Sequence, residues 1–329
     1  MKGLILCAGK GTRLYPFTVS YPKTLIPVAN VPLLHGCIDK LIDQNITEIG
    51  IVIHPSQESS IRESVQKIGG QNIRITYIYQ LRPAGIANAI LQAKDFIGQD
   101  SFILLLGDNL ISTSLQILKD QVDTEKNDAA LLLTEVDYPQ DYGIAEVAGS
   151  KIVRLEEKPQ KPKSNLAVLG AYAFSSSIFK AAETIKPSAR GEYEITDAIQ
   201  WLIQEGYPVA YYKTEISSID VGTVERWITA NRKMLKEMPN ESYIHPSVIV
   251  KNSTILGPVS IEQNSVIEDA VIGPYVSIGE NSTINGCSIQ DSILLSDVHI
   301  KKIGQPIRKM VIGSGSTWVG IEEKGEDEG

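Results

Sequence analysis

Through about residue 125, the chain alternates short apolar runs with segments whose apolar residues recur every three or four positions. Short apolar runs between turn residues predict buried strands, and recurrence at helical spacing predicts helices with one apolar face. Leu34, Ile38 and Leu41 form such a face. The alternation predicts an α/β fold with a Rossmann-like, mixed but mostly parallel sheet. The predicted strands are Leu4–Cys7, Ile49–Ile53, Ile73–Tyr79 and Phe102–Leu106, and the predicted helices are Leu33–Ile42, Gln57–Ile68, Ile86–Ile97 and Leu115–Val122.

From about residue 128 the pattern becomes richer in strands. Four further strands are predicted, followed by a helix that starts at Val224 after the turn Val221-Gly222-Thr223. The strands are Ala129–Val136, Ile144–Val147, Ile152–Leu155 and Leu166–Phe174. These elements complete a first predicted domain, residues 1–237.

A different period begins after a predicted linker at 238–242. Isoleucines recur at steps of six and five residues, at positions 249, 255, 261, 267, 272, 278, 284 and 289. Hexapeptide periodicity of this kind predicts a parallel β-helix, whose coils are stabilised by stacking on one another. The period does not determine the hand; similarity to hexapeptide-repeat proteins implies a short left-handed β-helix over 243–320. The acidic stretch 321–329 is predicted to be a disordered tail.

Composition narrows the functional classes. The 329 residues are 43% hydrophobic and 21% charged, with a formal net charge of −8. This acidic balance argues against sequence-independent nucleic-acid binding, which needs a basic surface. No apolar run approaches the length of about 20 residues that a membrane helix requires. Cys7, Cys37 and Cys287 have neither disulfide nor zinc spacing. We therefore predict a cytoplasmic protein with neither a nucleic-acid nor a membrane partner.

The first predicted strand ends in a loop of small residues that contains Gly9 and Gly11, with Lys10 and Arg13 beside them. Successive backbone N–H groups in such a loop can bind an anion, and charged hydrogen bonds to phosphate are strong. Neither the dinucleotide fingerprint nor the P-loop pattern fits the spacing. An ordinary βα turn with surface lysines is the alternative. Lys23 follows between Pro22 and Pro27, and these prolines restrain the backbone around it.

Two aspartates stand where predicted strands stop. Asp108 follows the apolar run Phe102–Leu106, and Asp220 precedes the turn at Gly222. Mg²⁺ is usually held by one or two carboxylates together with substrate oxygens, so the pair is a candidate magnesium site. For Asp108, capping of the following helix is the alternative.

The string Gly9-Lys-Gly-Thr-Arg-Leu14 with Pro22-Lys23 resembles the G-x-G-T-R-L…P-K signature of the sugar-phosphate nucleotidyltransferases. The resemblance covers residues 1–237, and the fold it implies is that of the nucleotide-diphospho-sugar transferases. The resemblance includes three further family motifs: Q-x-x-P-x-G beginning at Gln80, Y-G at Tyr142 and E-E-K-P beginning at Glu156. Arg190 is at the position where the family has a second ligand of the sugar phosphate. Without the resemblance, the Gln80 segment would be interpreted as a loop before a helix and the Glu156 segment as an exposed charged turn. One departure is Ser218, where the family usually has a tryptophan two residues before the aspartate.

The resemblance also implies roles for these residues. The implied nucleotide-binding residues are Ala8, Gly9, Gly11, Thr12, Gln80, Pro83 and Gly85. The implied sugar-phosphate-binding residues are Tyr142, Gly143, Glu157, Lys158 and Arg190. Arg13, Lys23 and Lys158 are the implied catalytic residues, with Asp108 and Asp220 as ligands of Mg²⁺.

Within that family the chain looks most like the long-form glucose-1-phosphate thymidylyltransferases. The implied reaction joins dTTP to glucose 1-phosphate, giving dTDP-glucose and pyrophosphate. Three alternatives stay open: a UTP-dependent uridylyltransferase acting on glucose 1-phosphate or N-acetylglucosamine 1-phosphate, a bifunctional enzyme with acyl transfer on the β-helix, and a non-catalytic regulatory or assembly homologue. We predict a structural role for the β-helix, since His245 and His299 are placed at its margins, and we expect a homo-oligomer.

Overall fold

The computed structural model describes residues 1–68, 72–149, 151–215, 219–240 and 242–320. Two compact units are present. The first consists of Met1–Thr12, Thr18–Ile26 and Leu33–Asp220, and the second of Arg13–Phe17, Pro27–Pro32 and the chain from Val221 onward. The predicted domain limits at 237 and 243 stay predictions. The predicted acidic tail and Ser218 lie outside the described residues.

Helices and strands alternate up to about residue 125 and a strand-rich stretch follows, as the apolar pattern predicts. The strands are β1 (Lys2–Leu6), β2 (Pro27–Val28), β3 (Val31–Pro32), β4 (Glu48–Ile53), β5 (Arg74–Tyr79), β6 (Phe102–Leu106), β7 (Asn109–Leu110), β8 (Ala129–Glu135), β9 (Gly143–Ala148), β10 (Lys151–Glu157), β11 (Leu166–Phe174), β12 (Val209–Lys213) and β13 (Ile219–Asp220). The helices are α1 (Phe17–Ser20), α2 (Leu33–Ile42), α3 (Glu58–Gln66), α4 (Ile86–Gln92), α5 (Lys94–Ile97), α6 (Gln116–Asp123), α7 (Ser177–Thr184), α8 (Ile195–Gln204) and, in the second unit, α9 (Val224–Lys236). Short 3-10 helices lie at Thr12–Leu14, Lys23–Leu25, Pro55–Gln57 and Pro139–Asp141. No helix in the described ranges is long and apolar enough to cross a bilayer.

The first unit is built on a nine-stranded sheet. Its path is β10-β9-β11-β6-β1-β4-β5, with β8 paired to β11 and β12 paired to β8. Strands β6, β1, β4 and β5 are parallel to one another, and β11 runs against β6, β8 and β9. Because β12 is parallel to β8, only β11 and β10 point against the other seven strands. The predicted Rossmann-like, mostly parallel sheet is therefore confirmed.

Both faces of this sheet are covered, so its central strands are apolar throughout. Along β1, Leu4 packs into a core with α4, α7 and α8, whereas Ile5 packs into the opposite core with α2, α3 and α6. Leu104 and Leu105 of β6 alternate in the same way. Strands buried on both faces have near-continuous apolar runs, and this is the pattern that the sequence shows.

Two predicted helices differ from the structure. The predicted helix Ile86–Ile97 is two helices, because Ala93 leaves helical geometry at φ −92° and ψ 3°. The predicted helix Gln57–Ile68 begins only at Glu58, after a 3-10 turn that starts at Pro55. His54 caps this turn with its side chain, which accepts a hydrogen bond from the Ser56 amide.

The second unit contains the predicted β-helix, which is left-handed and formed by three parallel sheets. Two sheets have five strands and the third has four. Its strands are β14 (Tyr243–Ile244), β15 (Ile249–Lys251), β16 (Thr254–Ile255), β17 (Val259–Ile261), β18 (Val266–Glu268), β19 (Val271–Ile272), β20 (Val276–Ile278), β21 (Thr283–Asn285), β22 (Ser288–Gln290), β23 (Ile293–Leu294), β24 (His299–Lys301), β25 (Ile307–Arg308), β26 (Val311–Ile312) and β27 (Thr317–Val319).

The pairing register explains why the predicted isoleucine steps are unequal. Ile267 pairs with Ile284 and Ile272 pairs with Ile289, so one side of each coil is five residues long. In the first coil the inward position opposite Ile267 is Val250, and Ile249 is opposite Val266 instead. The inclusion of Ile249 in the apolar run was therefore wrong. Ile249 is one residue before the position in register with Ile267 and is 48% exposed, and Val250 in this end coil is 42% exposed.

The stack also extends further than the regular run predicts. Strand β24 pairs with β21 on one side and with β27 on the other, so His299 lies opposite both Thr283 and Thr317. Placing His299 at the margin of the β-helix was therefore wrong. The irregular spacing between Ile289 and Ile312 disguises coils that keep the register, with Ile307 opposite Ile289.

Helix α9 and the segment around Ala29 pack on the β-helix within the second unit. The Asn231 carboxamide oxygen accepts hydrogen bonds from the Ala29 amide and the Ser277 hydroxyl, both at 2.8 Å. Asn30 donates to the backbone carbonyls of Ser260 and Ile278, each at 3.1 Å. The second unit is thus held together by buried polar contacts as well as by its apolar interior.

Candidate active site

The loops that follow β1, β4, β5 and β6 lie at one edge of the sheet, because these four strands are parallel. They contribute Ala8, His54, Gln80 and Asp108 respectively. Ligands of open α/β sheets bind at the carboxyl ends of the strands. This edge is therefore the candidate active site of the first unit.

A cavity of about 370 Å³ opens between the loops that follow β1, β4 and β5, and Asp108 is not among the residues that line it. Three of the residues implied in nucleotide binding line it: Ala8, Gln80 and Pro83. It is also lined by Lys10, Thr18, Val19, Tyr21, Pro22, His54, Ser56, Gln57, Ser60 and Leu81. The structure thus brings the glycine loop and the Gln80 segment to one cavity, although about 70 residues separate them in sequence.

The glycine loop packs against the stem of Lys23. Gly11 has φ +62°, and a Cβ atom there would lie 2.9 Å from Thr18 Cγ2 and 3.0 Å from Lys23 Cβ. The Thr18 hydroxyl donates a hydrogen bond to the Gly11 carbonyl at 2.9 Å. Glycine is therefore required by both the backbone conformation and the closeness of the lysine stem.

The ammonium group of Lys23 lies between the two strand-end aspartates. Its Nζ is 2.5 Å from Asp108 Oδ2 and 3.2 Å from Asp220 Oδ1. The lysine side chain is 9% exposed and each aspartate side chain 29%. Pairing of β7 with β13 brings the two carboxylates together, because Asp220 pairs with Asn109, the residue that follows Asp108.

The predicted helix-capping alternative for Asp108 is wrong, because α6 begins at Gln116 without a side-chain cap.

The electrostatics of this trio favour full charge on Lys23. Burial lowers the pKa of its ammonium, but the charges of Asp108 and Asp220 and their hydrogen bonds raise it, and the net pKa lies above the ordinary 10.5. The donor set also fits Mg²⁺, since two carboxylates converge on one cation. No cluster of three or more His, Cys, Asp or Glu side chains that could hold a metal occurs in the described ranges. Two carboxylates leave coordination positions for phosphate oxygens and water, as Mg²⁺ requires.

Asn109 orients one of these carboxylates, and the sequence reasoning missed it. With the carboxamide in the orientation its neighbours favour, its nitrogen donates to Asp108 Oδ1 at 3.2 Å and its oxygen accepts from the Gly170 amide at 3.3 Å. A Cβ atom on Gly170 would collide with this side chain. The adjacency of Asp108 and Asn109 in sequence was the available signal.

The segment around Gly85 packs on the chain near Tyr193. The Tyr193 amide donates to the Ala84 carbonyl at 2.8 Å, and the Ala87 amide donates to the Tyr193 carbonyl at 3.1 Å. Gly85 has φ +101°, and a Cβ atom there would lie 2.5 Å from the Tyr193 oxygen. The structure therefore gives a packing reason for this glycine, whereas contact with a base stays a prediction. Gln80 is buried and donates to the Asn88 carboxamide oxygen at 2.9 Å.

The residues implied in sugar-phosphate binding come together through the pairing of β9 with β10. Gly143 is opposite Glu157 in this pair, and the Lys158 amide donates to the Tyr142 carbonyl at 3.0 Å. Arg190 lies 3.6 Å from Glu157 and 3.3 Å from the Glu194 carboxylate. Arg190 also contacts Glu192 at 2.7 Å, so these residues form a cluster of mixed charge with one guanidinium beside three carboxylates.

Glu157 is the half-buried acid of this cluster. Burial and the charge of Glu194 raise the pKa of its carboxyl, whereas Lys158 and Arg190 act in the opposite direction. The Thr196 hydroxyl donates to Glu157 Oε2 at 3.2 Å. The carboxylate is thus held in place and retains acceptor capacity for a hydroxyl group.

The remaining implied residues differ in how far the structure describes them. Gly9 is exposed in the loop. Thr12 is the first residue of the 3-10 helix Thr12–Leu14 and the last residue of the segment Met1–Thr12 of the first unit. Arg13 is exposed and belongs to the second unit, so its role stays a prediction. His54, Ser56 and Ser60 line the cavity and were missed, although His54 stands at the end of a predicted strand as Asp108 does.

Comparison with known proteins adds independent findings. Residues 2–237 match the family described as "Nucleotidyl transferase". The low-salt glycan biosynthesis nucleotidyltransferase Agl11 of Haloferax volcanii is 35% identical, over 96% of this chain and 93% of that protein. A glucose-1-phosphate thymidylyltransferase of Streptomyces griseus is 34% identical, over 92% of this chain and 89% of its own.

A solved structure agrees with the fold. A chain from Bacillus anthracis, described as a glucose-1-phosphate thymidylyltransferase in complex with a sucrose, superposes with a TM-score of 0.67 at 35% identity. The superposition covers 72% of this chain and 96% of that one. The family match over residues 2–237 and the relatives that align over nearly their whole length agree: this chain belongs to the nucleotidyl transferase family.

Proposed function

We propose that the chain transfers a thymidylyl group from dTTP to glucose 1-phosphate, giving dTDP-glucose and pyrophosphate. The observation that carries the proposal is the meeting of Lys23 with Asp108 and Asp220 directly after Tyr21 and Pro22, which line the cavity. A cation between two carboxylates beside a loop of backbone amides suits a metal-bound triphosphate. The name of the Streptomyces griseus relative supports this choice of substrates.

A phosphate oxygen of glucose 1-phosphate would attack the α-phosphorus of dTTP in line with the bond to the leaving pyrophosphate. No covalent enzyme intermediate would form. Such a reaction needs positioning and neutralisation of charge more than acid–base chemistry. Asp108 and Asp220 would hold Mg²⁺, which when bound would neutralise charge on the phosphates. Lys23 would contact the reacting phosphates, and Arg13 would neutralise the triphosphate.

The sugar phosphate would bind in the pocket of β9 and β10. Lys158 and Arg190 would hold its phosphate, and Glu157 would accept hydrogen bonds from sugar hydroxyls. This assignment fits the cationic fork beside a buried carboxylate. Tyr142 and Gly143 would form the floor of the pocket, since Gly143 lies opposite Glu157.

Gln80 would recognise the base. Its Nε2 donates to Asn88 Oδ1 and to the Gly85 carbonyl, so its carboxamide oxygen is the atom proposed to accept the N3–H of a pyrimidine. Thymine and uracil share that N3–H. A UTP-dependent uridylyltransferase is therefore the second candidate, and Gln80 suits it equally well.

The test is pyrophosphate release across a matrix of nucleoside triphosphates and sugar 1-phosphates. The highest kcat/KM is expected for dTTP with glucose 1-phosphate. A preference for UTP would favour the second candidate, and a wild-type protein without pyrophosphate release for any pair would contradict the activity.

Asparagine variants test the metal ligands in the same assay. Asp108→Asn and Asp220→Asn should each lower turnover about a hundredfold, the cost of losing one charge contact in the transition state. Asp100→Asn is the matched control, since Asp100 pairs with Lys2 at the amino end of β1. Near-normal turnover of either site variant would contradict the assignment of Mg²⁺.

Location in the cytoplasm is also proposed. Cys7, Cys37 and Cys287 are free and buried, as expected for a reducing compartment.

A further inference from the structure

The position between Asp108 and Asp220 already contains a cation that belongs to the chain. Lys23 Nζ lies within 3.2 Å of an oxygen of each carboxylate. Mg²⁺ ligates carboxylate oxygens at about 2.0–2.1 Å, so a metal bound by both aspartates needs the space that the ammonium occupies. The two cations therefore compete for the same pair of oxygens.

The surroundings make this competition strong. The lysine side chain is 9% exposed and its stem packs against Gly11, so the ammonium is not freely solvated. Charge attraction between groups a few ångströms apart is several times stronger near a protein than in bulk water. Lys23, Asp108 and Asp220 together carry a formal charge of −1, and removal of the lysine charge would take away the cation that contacts both carboxylates.

We propose that Lys23 is a built-in competitor that keeps divalent metal from binding tightly until a triphosphate supplies other acceptors for its ammonium. Metal and nucleotide would then bind cooperatively, because each relieves the cost of the other: the metal takes the carboxylates and the phosphates take the lysine. The role of the triphosphate rests on the proposed function. The competition itself depends only on Lys23, Asp108 and Asp220.

The competition predicts a property that a purely structural ion pair does not have. If the metal binds elsewhere, loss of this ion pair would lower stability and leave metal affinity almost unchanged. Loss of a competitor would raise the affinity for metal in the absence of nucleotide. Metal affinity, measured without substrates, therefore separates the two roles.

In the experiment, the metal-free full-length protein is titrated with Mn²⁺ alone. Binding is measured by isothermal titration calorimetry and by the electron paramagnetic resonance signal of free Mn²⁺. Lys23→Met removes the charge at nearly constant length and should lower the Kd for Mn²⁺ about tenfold or more. Lys23→Arg keeps the charge and should bind Mn²⁺ as weakly as the wild type. Asp108→Asn added to Lys23→Met should abolish the gain.

Lys94→Met is the matched control. It removes a lysine that contacts Glu183 at 2.5 Å on the surface, so it changes net charge equally without touching the site. It should leave the Kd for Mn²⁺ within about twofold of the wild type. If Lys23→Met loses its fold by circular dichroism, Lys23→Gln takes its place as the neutral variant.

A wild-type protein that binds Mn²⁺ as tightly as the neutral variant would overturn the proposal, as would equal gains in Lys23→Met and Lys94→Met. Failure of the proposed function has a different signature. In that case the wild type releases no pyrophosphate with any substrate pair, while Lys23→Met still binds Mn²⁺ more tightly.

Discussion

At the residue scale, Glu157 is the acid whose charge the fold opposes. Burial is the main cause that raises the pKa of its carboxyl, and the nearby charge of Glu194 raises this pKa further. Lys158 and Arg190 lower the pKa, but only in part. Because the folded-state pKa lies above the ordinary 4.5, the folded state binds the proton more tightly than the unfolded chain. Stability from this group is therefore present at low pH and is lost as pH rises from about 4.5 through the folded-state pKa.

We expect Glu157→Gln to melt at a higher temperature than the wild type at pH 7, since the variant carries no buried charge. The difference should shrink as pH falls toward 4.5. Differential scanning calorimetry at several pH values, without substrates, measures it. Glu63→Gln on the exposed face of α3 controls for the substitution itself. A variant that melts lower than the wild type at pH 7 would show that Arg190 and Thr196 outweigh burial.

At the element scale, α4 depends on a glycine at its N-terminus. Gly85 combines a left-handed φ of +101° with a backbone neighbour, Tyr193, in the space that a side chain would need. The same backbone of Tyr193 bonds to Ala84 and Ala87 on either side. A change at Gly85 therefore disturbs both the start of α4 and the chain that leads into α8.

Gly85→Ala should destabilise the protein more than Gly98→Ala, as measured by urea unfolding. Gly98 has φ +65° and ψ −124° with open space around it, so its substitution reports backbone strain alone, of about 1–3 kcal/mol. Gly85→Ala adds displacement of the Tyr193 backbone, and we expect a total cost of about 3 kcal/mol or more. An equal loss of unfolding free energy in the two variants would mean that the Tyr193 backbone can move away from the new side chain without cost.

At the scale of the whole molecule, the β-helix provides partners for buried polar groups elsewhere in the second unit. Asn231 is 1% exposed and shares its oxygen between the Ala29 amide and the Ser277 hydroxyl. Asn30 donates to Ser260 and Ile278. Because His299 lies within the stack, its position is no argument against acyl transfer, and the structural role of the β-helix stays a prediction.

Truncation after Lys236 should lower solubility or change the oligomer size in light scattering, because it exposes the face of α9 that holds Asn231. A buried polar group left without its partner costs about 1–3 kcal/mol. Any soluble product should keep nucleotidyl transfer. Truncation after Gly320 is the control and should leave size and solubility unchanged. A fully soluble truncated chain with wild-type oligomer size would contradict the prediction, and acetylation of an amino-sugar phosphate by the intact chain would favour the bifunctional alternative.

The pattern of apolar residues was enough to predict the local architecture. Apolar runs such as Phe102–Leu106 and the helical face of Leu33–Ile42 have the bounds that the pattern predicts. The isoleucine steps were enough to predict a β-helix, because every coil buries the same positions. These features follow from burial, and burial leaves a periodic signal in the residues themselves.

Contacts between residues far apart in the chain could not be predicted from that pattern. Lys23 is 85 residues from Asp108 and 197 from Asp220, and their contact depends on the order of strands in the sheet. Periodicity cannot encode that order, since it reports only which face of an element is buried. For the same reason the outward position of Ile249 became apparent only from its pairing with Val266. A contact between distant residues is set by the packing of whole elements, which no local pattern contains.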